Sequence, residues 1–310
     1  MVEYSVETEG LTRTFGDVVA VQDLNLKVRA GEVFGLLGPN GAGKTTTVRL
    51  LTCLIAPSAG TARIQGLDLR DPDEAMQIRR QVGLLTETPG MYEDLSAWRN
   101  LEFYAKLYDV PSPRREEQLE RYLKTLDLWD RRDDLVGKFS KGMRQKLAIT
   151  RALLHDPQVL FLDEPTAGLD PEASRTVREF IEELRKEGRT VFLCTHNLDE
   201  ADRLCDRIGV MKRTLKRVDS PDNFRKTLYS RKSVIHLEKL TPALRRVVEG
   251  MDFARKVQVV DDKLVVEVDD PQRRNPAMVE ALVRAGARVQ FVSELRVSLE
   301  DVYFKLLEEA

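Results

Sequence analysis

The chain has 310 residues, 42% of them hydrophobic and 32% charged, with a formal net charge of -2. That is enough length to bury a sizeable core in one large and one smaller domain, and a near-neutral balance gives no bulk attraction to nucleic acid or to an anionic membrane surface. No apolar run approaches the ~18 residues needed to span a bilayer, and "MVEYSVETEG" lacks the basic region and apolar core of a secretion signal, so a chain neither secreted nor itself transmembrane is expected.

In chain order, the first informative stretch is "EVFGLLGPNGAGKTTTVRLLTCLI". The apolar run reads as a buried strand, and Val48, Leu51 and Ile55 share one face of the helix expected after it. Between them Gly38, Gly43, Lys44 and Thr45 match GxxxxGK[ST], a pattern that aims backbone N–H groups and a helix N-terminus at a chain of phosphates. In this reading Gly41 and Gly43 leave room for phosphate oxygens against the backbone. Lys44 reaches the β- and γ-phosphates, and the Thr45 hydroxyl is a ligand for Mg²⁺. A plain glycine-rich turn is the bland alternative.

The segment after Glu87, "TPGMYEDLSAWRNLEFYAKLY", opens with Pro and Gly and then becomes helical, with Leu101, Tyr104, Ala105 and Tyr108 at helical spacing. Farther on, "VGKFSKGMRQKLAITRALLHDP" predicts a helix starting at Ser140 and rich in Met143, Leu147, Ile149 and Leu153; a capped amphipathic helix without a ligand explains it equally well in isolation. "QVLFLDEPTAGLD" runs from a buried parallel strand into Asp163 and Glu164. Strand carboxyl ends form the ligand crevice of an open α/β sheet, so Asp163 can hold the Mg²⁺ shell and Glu164 can polarise a water against the γ-phosphorus; by itself such a pair is also a common solvated turn. A third strand, "RTVFLCTH", ends in His196, a candidate γ-phosphate sensor, whereas His155 and His236 lack such a setting. Cys53, Cys194 and Cys205 have no CxxC spacing, which fits a reducing compartment and argues against zinc ligation or thiol catalysis.

Together these motifs resemble the ATP-binding subunit of an ABC transporter. Residues 1–223 are similar to its nucleotide-binding domain, an α/β P-loop NTPase with a helical subdomain at about 88–150. The resemblance assigns the nucleotide to Gly38, Pro39, Asn40, Gly41, Ala42, Gly43, Lys44, Thr45 and Thr46, with Phe15 as the ring that stacks on adenine. Ser140 and Gly142 match the second and fourth positions of the family's signature, and Lys141 and Met143 replace its usual Gly and Gln, a variant resembling exporters whose permease is a separate polypeptide. In the family this signature closes over ATP held by a second subunit, and Asp170 matches the loop that touches the opposite site. Glu87 stands where the family commonly has Gln, a departure that adds a negative charge near phosphate; it is a candidate catalytic residue and Mg²⁺ ligand.

The resemblance therefore implies an ATP-hydrolysing subunit that acts as a homodimer, or as a heterodimer with a similar ATPase. Its other partner is a transmembrane permease, against whose cytoplasmic side it sits at the inner face of the cell membrane. Met91, Tyr92, Leu95 and Trp98 offer an apolar and aromatic surface for that partner. A soluble ABC-type ATPase outside transport is the alternative, although it usually shows tandem ATP domains, a coiled coil or a basic surface. A small-molecule kinase or GTPase leaves Ser140, Gly142 and His196 unexplained.

"KRVDSPDNFRKTLYSRKS" reads as a helix and linker, with the linker at 224–232. From 233 to 310 the periodicity predicts a βαββαβ order, a small α+β ferredoxin-like domain, followed by a helix whose Ser298 and Asp301 are spaced as a capping box. This part carries no chemical motif.

Overall fold

A computed structural model describes residues 2–88, 90–228, 231–295 and 298–308. The chain divides into two compact units, Met1–Pro221 and Asp222–Glu309. Pro89, which opens the helical segment, and residues 229–230 of the expected linker lie outside the described residues. No helix among the described residues is long and apolar enough to cross a membrane.

The first unit starts with two long antiparallel strands, β1 (Tyr4–Phe15) and β2 (Val18–Arg29). Register shifts between Thr8 and Leu11 and again before Arg13 break the in-out alternation. β3 (Val33–Leu37) is buried along its whole length, and α1 (Lys44–Leu51) follows it after the glycine loop. That helix is shorter than its apolar spacing suggests, and Ile55 falls outside it. Cys53 adopts φ 55, and its N–H and that of Leu54 reach back to the carbonyls of Leu50 and Arg49. This is the paired-bond helix stop that glycine usually provides.

β4 (Ala59–Ile64) and β5 (Leu67–Asp68) complete a four-stranded sheet of order β2-β1-β4-β5. α2 (Pro72–Gln81), capped by the Asp71 carboxylate, leads into β6 (Val82–Leu85). Then come α3 (Ala97–Leu107), α4 (Ser112–Thr125) and α5 (Lys141–Leu153), which share a core of Leu101, Ala105, Leu119, Leu123 and Leu147. Each such fully buried Leu stabilises the unit by about 1.5–3 kcal/mol. The buried Asn100 donates to the carbonyls of Tyr92, Leu95 and Ser96, and so fixes the chain entering this subdomain.

The remaining elements of the unit are β7 (Val159–Asp163), α6 (Pro171–Lys186), β8 (Thr190–Thr195), α7 (Leu198–Leu204), β9 (Arg207–Lys212) and β10 (Thr214–Asp219). The central sheet has order β10-β9-β3-β8-β7-β6 and is parallel from β9 to β6. Its strands β3, β7 and β8 are buried throughout, as sheets covered on both faces require.

The second unit opens with α8 (Pro221–Leu228), so a helix occupies most of the span expected to be linker at 224–232, and β11 begins at Lys232. β11 (Lys232–Leu237), α9 (Pro242–Glu249), β12 (Lys256–Val260), β13 (Lys263–Glu267), α10 (Pro271–Arg284) and β14 (Val289–Leu295) follow in the expected βαββαβ order. They form an antiparallel sheet of order β12-β13-β11-β14, the ferredoxin-like arrangement. α11 (Leu299–Glu308) is entered through a reciprocal box: Asp301 N–H donates to Ser298 Oγ and Ser298 N–H to Asp301 Oδ2, both at 3.1 Å.

Candidate functional site

Strand order brings distant segments side by side. β8 lies between β3 and β7, with Leu37 opposite Thr195 and Asp163 opposite Cys194. The loop after β3, the acids after β7 and His196 after β8 therefore emerge together at the carboxyl edge, where open α/β sheets bind ligands.

Gly43 stands at the N-cap of α1 with φ 102 and no side-chain cap, which leaves the first N–H groups of the helix free of side-chain partners and open to an anion. The glycines have separate reasons. A Cβ on Gly43 would collide with the Ala20 carbonyl oxygen, and one on Gly38 with that of Met211, so both are demanded by the chain's own backbone. Only Gly41, with φ 78, faces open space. Gly43 thus has a reason in the chain's own backbone, apart from the room for phosphate expected of it. The loop is also pinned from behind, because Arg213 N–H donates to the Ala42 carbonyl at 2.8 Å.

Lys44 is buried, with Nζ 2.7 Å from the Gly38 carbonyl oxygen and 3.8 Å from Glu164 Oε1. Thr45 Oγ1 donates to Asp163 Oδ2 at 2.7 Å. Burial pushes the Asp163 carboxyl above its ordinary range, and the negative charges of Glu164 and Glu87 add to this against the Thr45 hydrogen bond and Lys44. Glu87, just past β6, is therefore electrostatically part of the same site.

Glu164 takes up φ 51, a left-handed backbone uncommon for a side chain of this kind. Its N–H is held by the Cys194 carbonyl at 2.9 Å. Its carboxylate meets His196 Nδ1 at 2.8 Å and, through Oε2, lies 3.5 Å from the Thr195 hydroxyl. Lys44 and His196 thus flank one carboxylate.

The other predicted residues form a separate group. Ser140 Oγ caps α5 by accepting from Met143 N–H at 3.2 Å, and Asp170 caps α6 by accepting from Ala173 N–H at 2.8 Å. Gly142 packs where a Cβ would touch Ala173, and the Lys141 ammonium lies over Gly168 in the loop before Asp170. Among the described residues no hydrogen bond or ion pair joins Ser140, Lys141, Gly142 or Met143 to residues 38–46. Phe15 is exposed at the end of β1, with the Arg13 guanidinium 4.4 Å from its ring centroid.

Comparison with known proteins agrees with this geometry. The ABC transporter family pattern matches residues 21–167. The chain is 33% identical to the Nod factor export ATP-binding protein I of Burkholderia lata over 97% of its own length and 96% of that protein. It is 34% identical to the daunorubicin resistance ATP-binding protein DrrA3 of Streptomyces coeruleorubidus, covering 99% and 96%. The chain belongs to the ATP-binding proteins of ABC transporters. Its fold matches the dimeric post-hydrolysis state of the ATP-binding cassette MJ0796 bound to ADP and Pi with a TM-score of 0.64, at 26% identity over 69% of this chain and 98% of that one. As an ABC ATPase, it has ATP hydrolysis as its activity.

The sequence reading missed two buried polar side chains of this ABC protein beside the site. Gln145 donates to the Pro165 carbonyl at 3.0 Å, and Glu200 accepts from the Thr166 hydroxyl at 2.7 Å. Both fall on the buried faces of amphipathic helices, and a polar residue at a core position was the signal available. On the helical subdomain, the exposed Phe103 and Leu107 were also missed; the Tyr92 ring stands 5.2 Å from that of Phe103. Met91 and Trp98 instead pack partly against the subdomain core, with Trp98 6.2 Å from Trp129.

Proposed function

We propose that this subunit powers export through a separate permease by closing, with a second ATPase subunit, over two ATP molecules. The observation that carries this reading is the Glu164 carboxylate held between Lys44 and His196 at the mouth of the phosphate loop. Lys44, on leaving the Gly38 carbonyl, neutralises phosphate charge, and Glu164 accepts the proton of the attacking water. His196, whose Nδ1 meets Glu164, keeps Nε2 for the γ-phosphate. Phe15 offers its ring to adenine, and Ser140 with the α5 N-terminus contacts the γ-phosphate of the partner's ATP. The names of relatives that act in Nod factor export and daunorubicin resistance support the export direction.

The donor set suits Mg²⁺. Thr45 and Asp163 supply oxygens, Glu87 adds charge, and a divalent cation would relieve the repulsion that raises the Asp163 carboxyl. Among the described residues no group of three or more His, Cys, Asp or Glu forms a metal cage by itself. Mg²⁺ is commonly bound through one or two carboxylates together with substrate phosphates. An ion held there by Thr45 and Asp163 would neutralise charge that develops on the phosphates.

Glu164→Gln tests both halves of the reading. Losing the base is expected to slow hydrolysis roughly 10²–10⁴-fold while ATP still binds. The slow protein should accumulate as an ATP-dependent dimer by light scattering, and adding Ser140→Arg should return it to monomer. A Glu164→Gln protein that stays monomeric in saturating ATP, or dimerises equally without nucleotide, rules out the shared site. Copurification of a permease with the subunit from membranes tests the partner.

A further inference from the structure

The segment from Glu164 to Asp170 runs from the predicted base to the predicted contact with the opposite subunit, and its interior is gripped by side chains that no hydrolytic step uses. On one side Gln145, buried on α5, holds the Pro165 carbonyl. On the other, Oε1 of Glu200 on α7 accepts a hydrogen bond from the Thr166 hydroxyl. Glu200 is 2% exposed, and its Oε2 has no hydrogen-bond partner. A buried carboxylate left in this state is costly unless its position serves something.

What it holds is a strained turn. Glu164 adopts φ 51, Ala167 N–H closes on the Glu164 carbonyl at 3.2 Å, and Leu169 N–H closes on the Thr166 carbonyl at 3.2 Å. Strain of this kind persists only where the surroundings over-determine it. Thr166 is the one residue of the turn whose side chain is tied to the helix following His196. Displacing it shifts the carbonyl to which Leu169 bonds and frees the turn that orients Glu164.

We propose that Glu200 is a positioning residue for ATP hydrolysis: through Thr166 it keeps the Glu164 carboxylate between Lys44 and His196. This rests on Glu164 being the base. Burial raises the Glu200 carboxyl, hydrogen bonding from Thr166 and then Thr195 opposes this, and the charge of Glu164 adds to the rise. Glutamine matches this side chain in shape and keeps an oxygen to accept from Thr166.

The test uses the full-length protein with magnesium and ATP, and measures kcat, KM and thermal unfolding. Glu200→Ala and Thr166→Val should each lower kcat roughly 10- to 100-fold with little change in KM, as small misplacements of a catalytic group do. The double variant should be no slower than the slower single one, because both break the same link. Glu200→Gln and Thr166→Ser, which retain the hydrogen bond, should recover most of the lost kcat. Should Glu200→Ala not fold, the Thr166 pair reads the same quantity at a half-buried position. Effects that multiply, a loss confined to KM, a Gln or Ser variant as slow as Ala or Val, or full kcat in the single variants overturns the proposal. Glu164→Gln is run alongside: if it keeps wild-type turnover, the assignment of the base and this inference fall together, and if it is slow while the others are unimpaired, only this inference falls.

Discussion

The hydroxyl of Thr45 donates to the carboxylate of Asp163 at 2.7 Å, joining the first turn of α1 to the end of β7 across 118 residues of sequence. One hydrogen bond thus connects the helix that follows the glycine loop to the strand that delivers the acids. Thr45→Val keeps the shape and removes the donor, and should destabilise the nucleotide-free protein by about 1–3 kcal/mol, since a buried acceptor loses its partner. Thr45→Ser should restore both stability and magnesium-dependent hydrolysis. Chemical denaturation and a phosphate-release assay measure the two effects; a Val variant with unchanged stability contradicts the role given to this bond.

Two of the loop glycines should separate by experiment. Gly43→Ala places a methyl group against the Ala20 carbonyl and on a backbone at φ 102, so the loop must move even in nucleotide-free protein. Gly41→Ala meets nothing within 4 Å and bears only its left-handed backbone, a cost of about 1 kcal/mol. Thermal melts without ATP should therefore show a clearly larger loss for Gly43→Ala than for Gly41→Ala. Equal losses would count against the backbone origin of the Gly43 requirement.

Asp156 joins the helical subdomain to the sheet, bonding Arg189 at 2.6 Å and pairing with Arg114 of α4. Burial pushes its carboxyl up, but Arg189, by hydrogen bond and by charge, and then Arg114 outweigh this and hold the group below its ordinary value. An acid with a depressed pKa stabilises the fold above its unfolded pKa of about 3.9, and that stability drains as pH falls through the folded value. Asp156→Asn should cost about 2 kcal/mol at neutral pH, with Glu187 still beside Arg189. The gap between wild type and variant should close as denaturation is repeated below about pH 4; a gap independent of pH assigns the loss to packing.

Tyr92 and Trp98 should part company. Tyr92 is exposed against Phe103 and Tyr104, while Trp98 rests on the subdomain core. Tyr92→Glu is expected to weaken retention by the permease with basal hydrolysis and unfolding temperature unchanged. Trp98→Glu should lower the unfolding temperature first. Membrane cofractionation and melting curves distinguish them, and a Tyr92→Glu protein that remains bound and supports export removes this surface from the partner interface.

What could be read in advance was what is written locally. The strand before Gly38, the buried run into Asp163 and the strand before His196 each announce themselves within a dozen residues, and the βαββαβ rhythm after residue 232 needs only periodicity. The reason for Gly43 was hidden because the clashing atoms belong to Ala20 and Met211, which the fold supplies from other strands. The end of α1 was missed because Cys53 takes the left-handed place where glycine would have been a signal. β1 and β2 escaped notice since their bulges interrupt alternation. On α3 the helical spacing of Leu101 and Ala105 marked the buried side, and Phe103 and Leu107, which lie off that spacing, are exposed.

The spatial order of the central sheet also sets a timetable. β3 has β8 and β9 as its two neighbours, elements that leave a ribosome some 150 residues after it, roughly 10–30 s later at ordinary rates of synthesis. Through that interval the strand beneath the phosphate loop has both edges unpaired, a state prone to intermolecular pairing. The same delay keeps Lys44 and Glu164 from acquiring His196 until the sheet can close around them. Any fragment ending before residue 190 lacks both neighbours of β3 and should be inactive and insoluble.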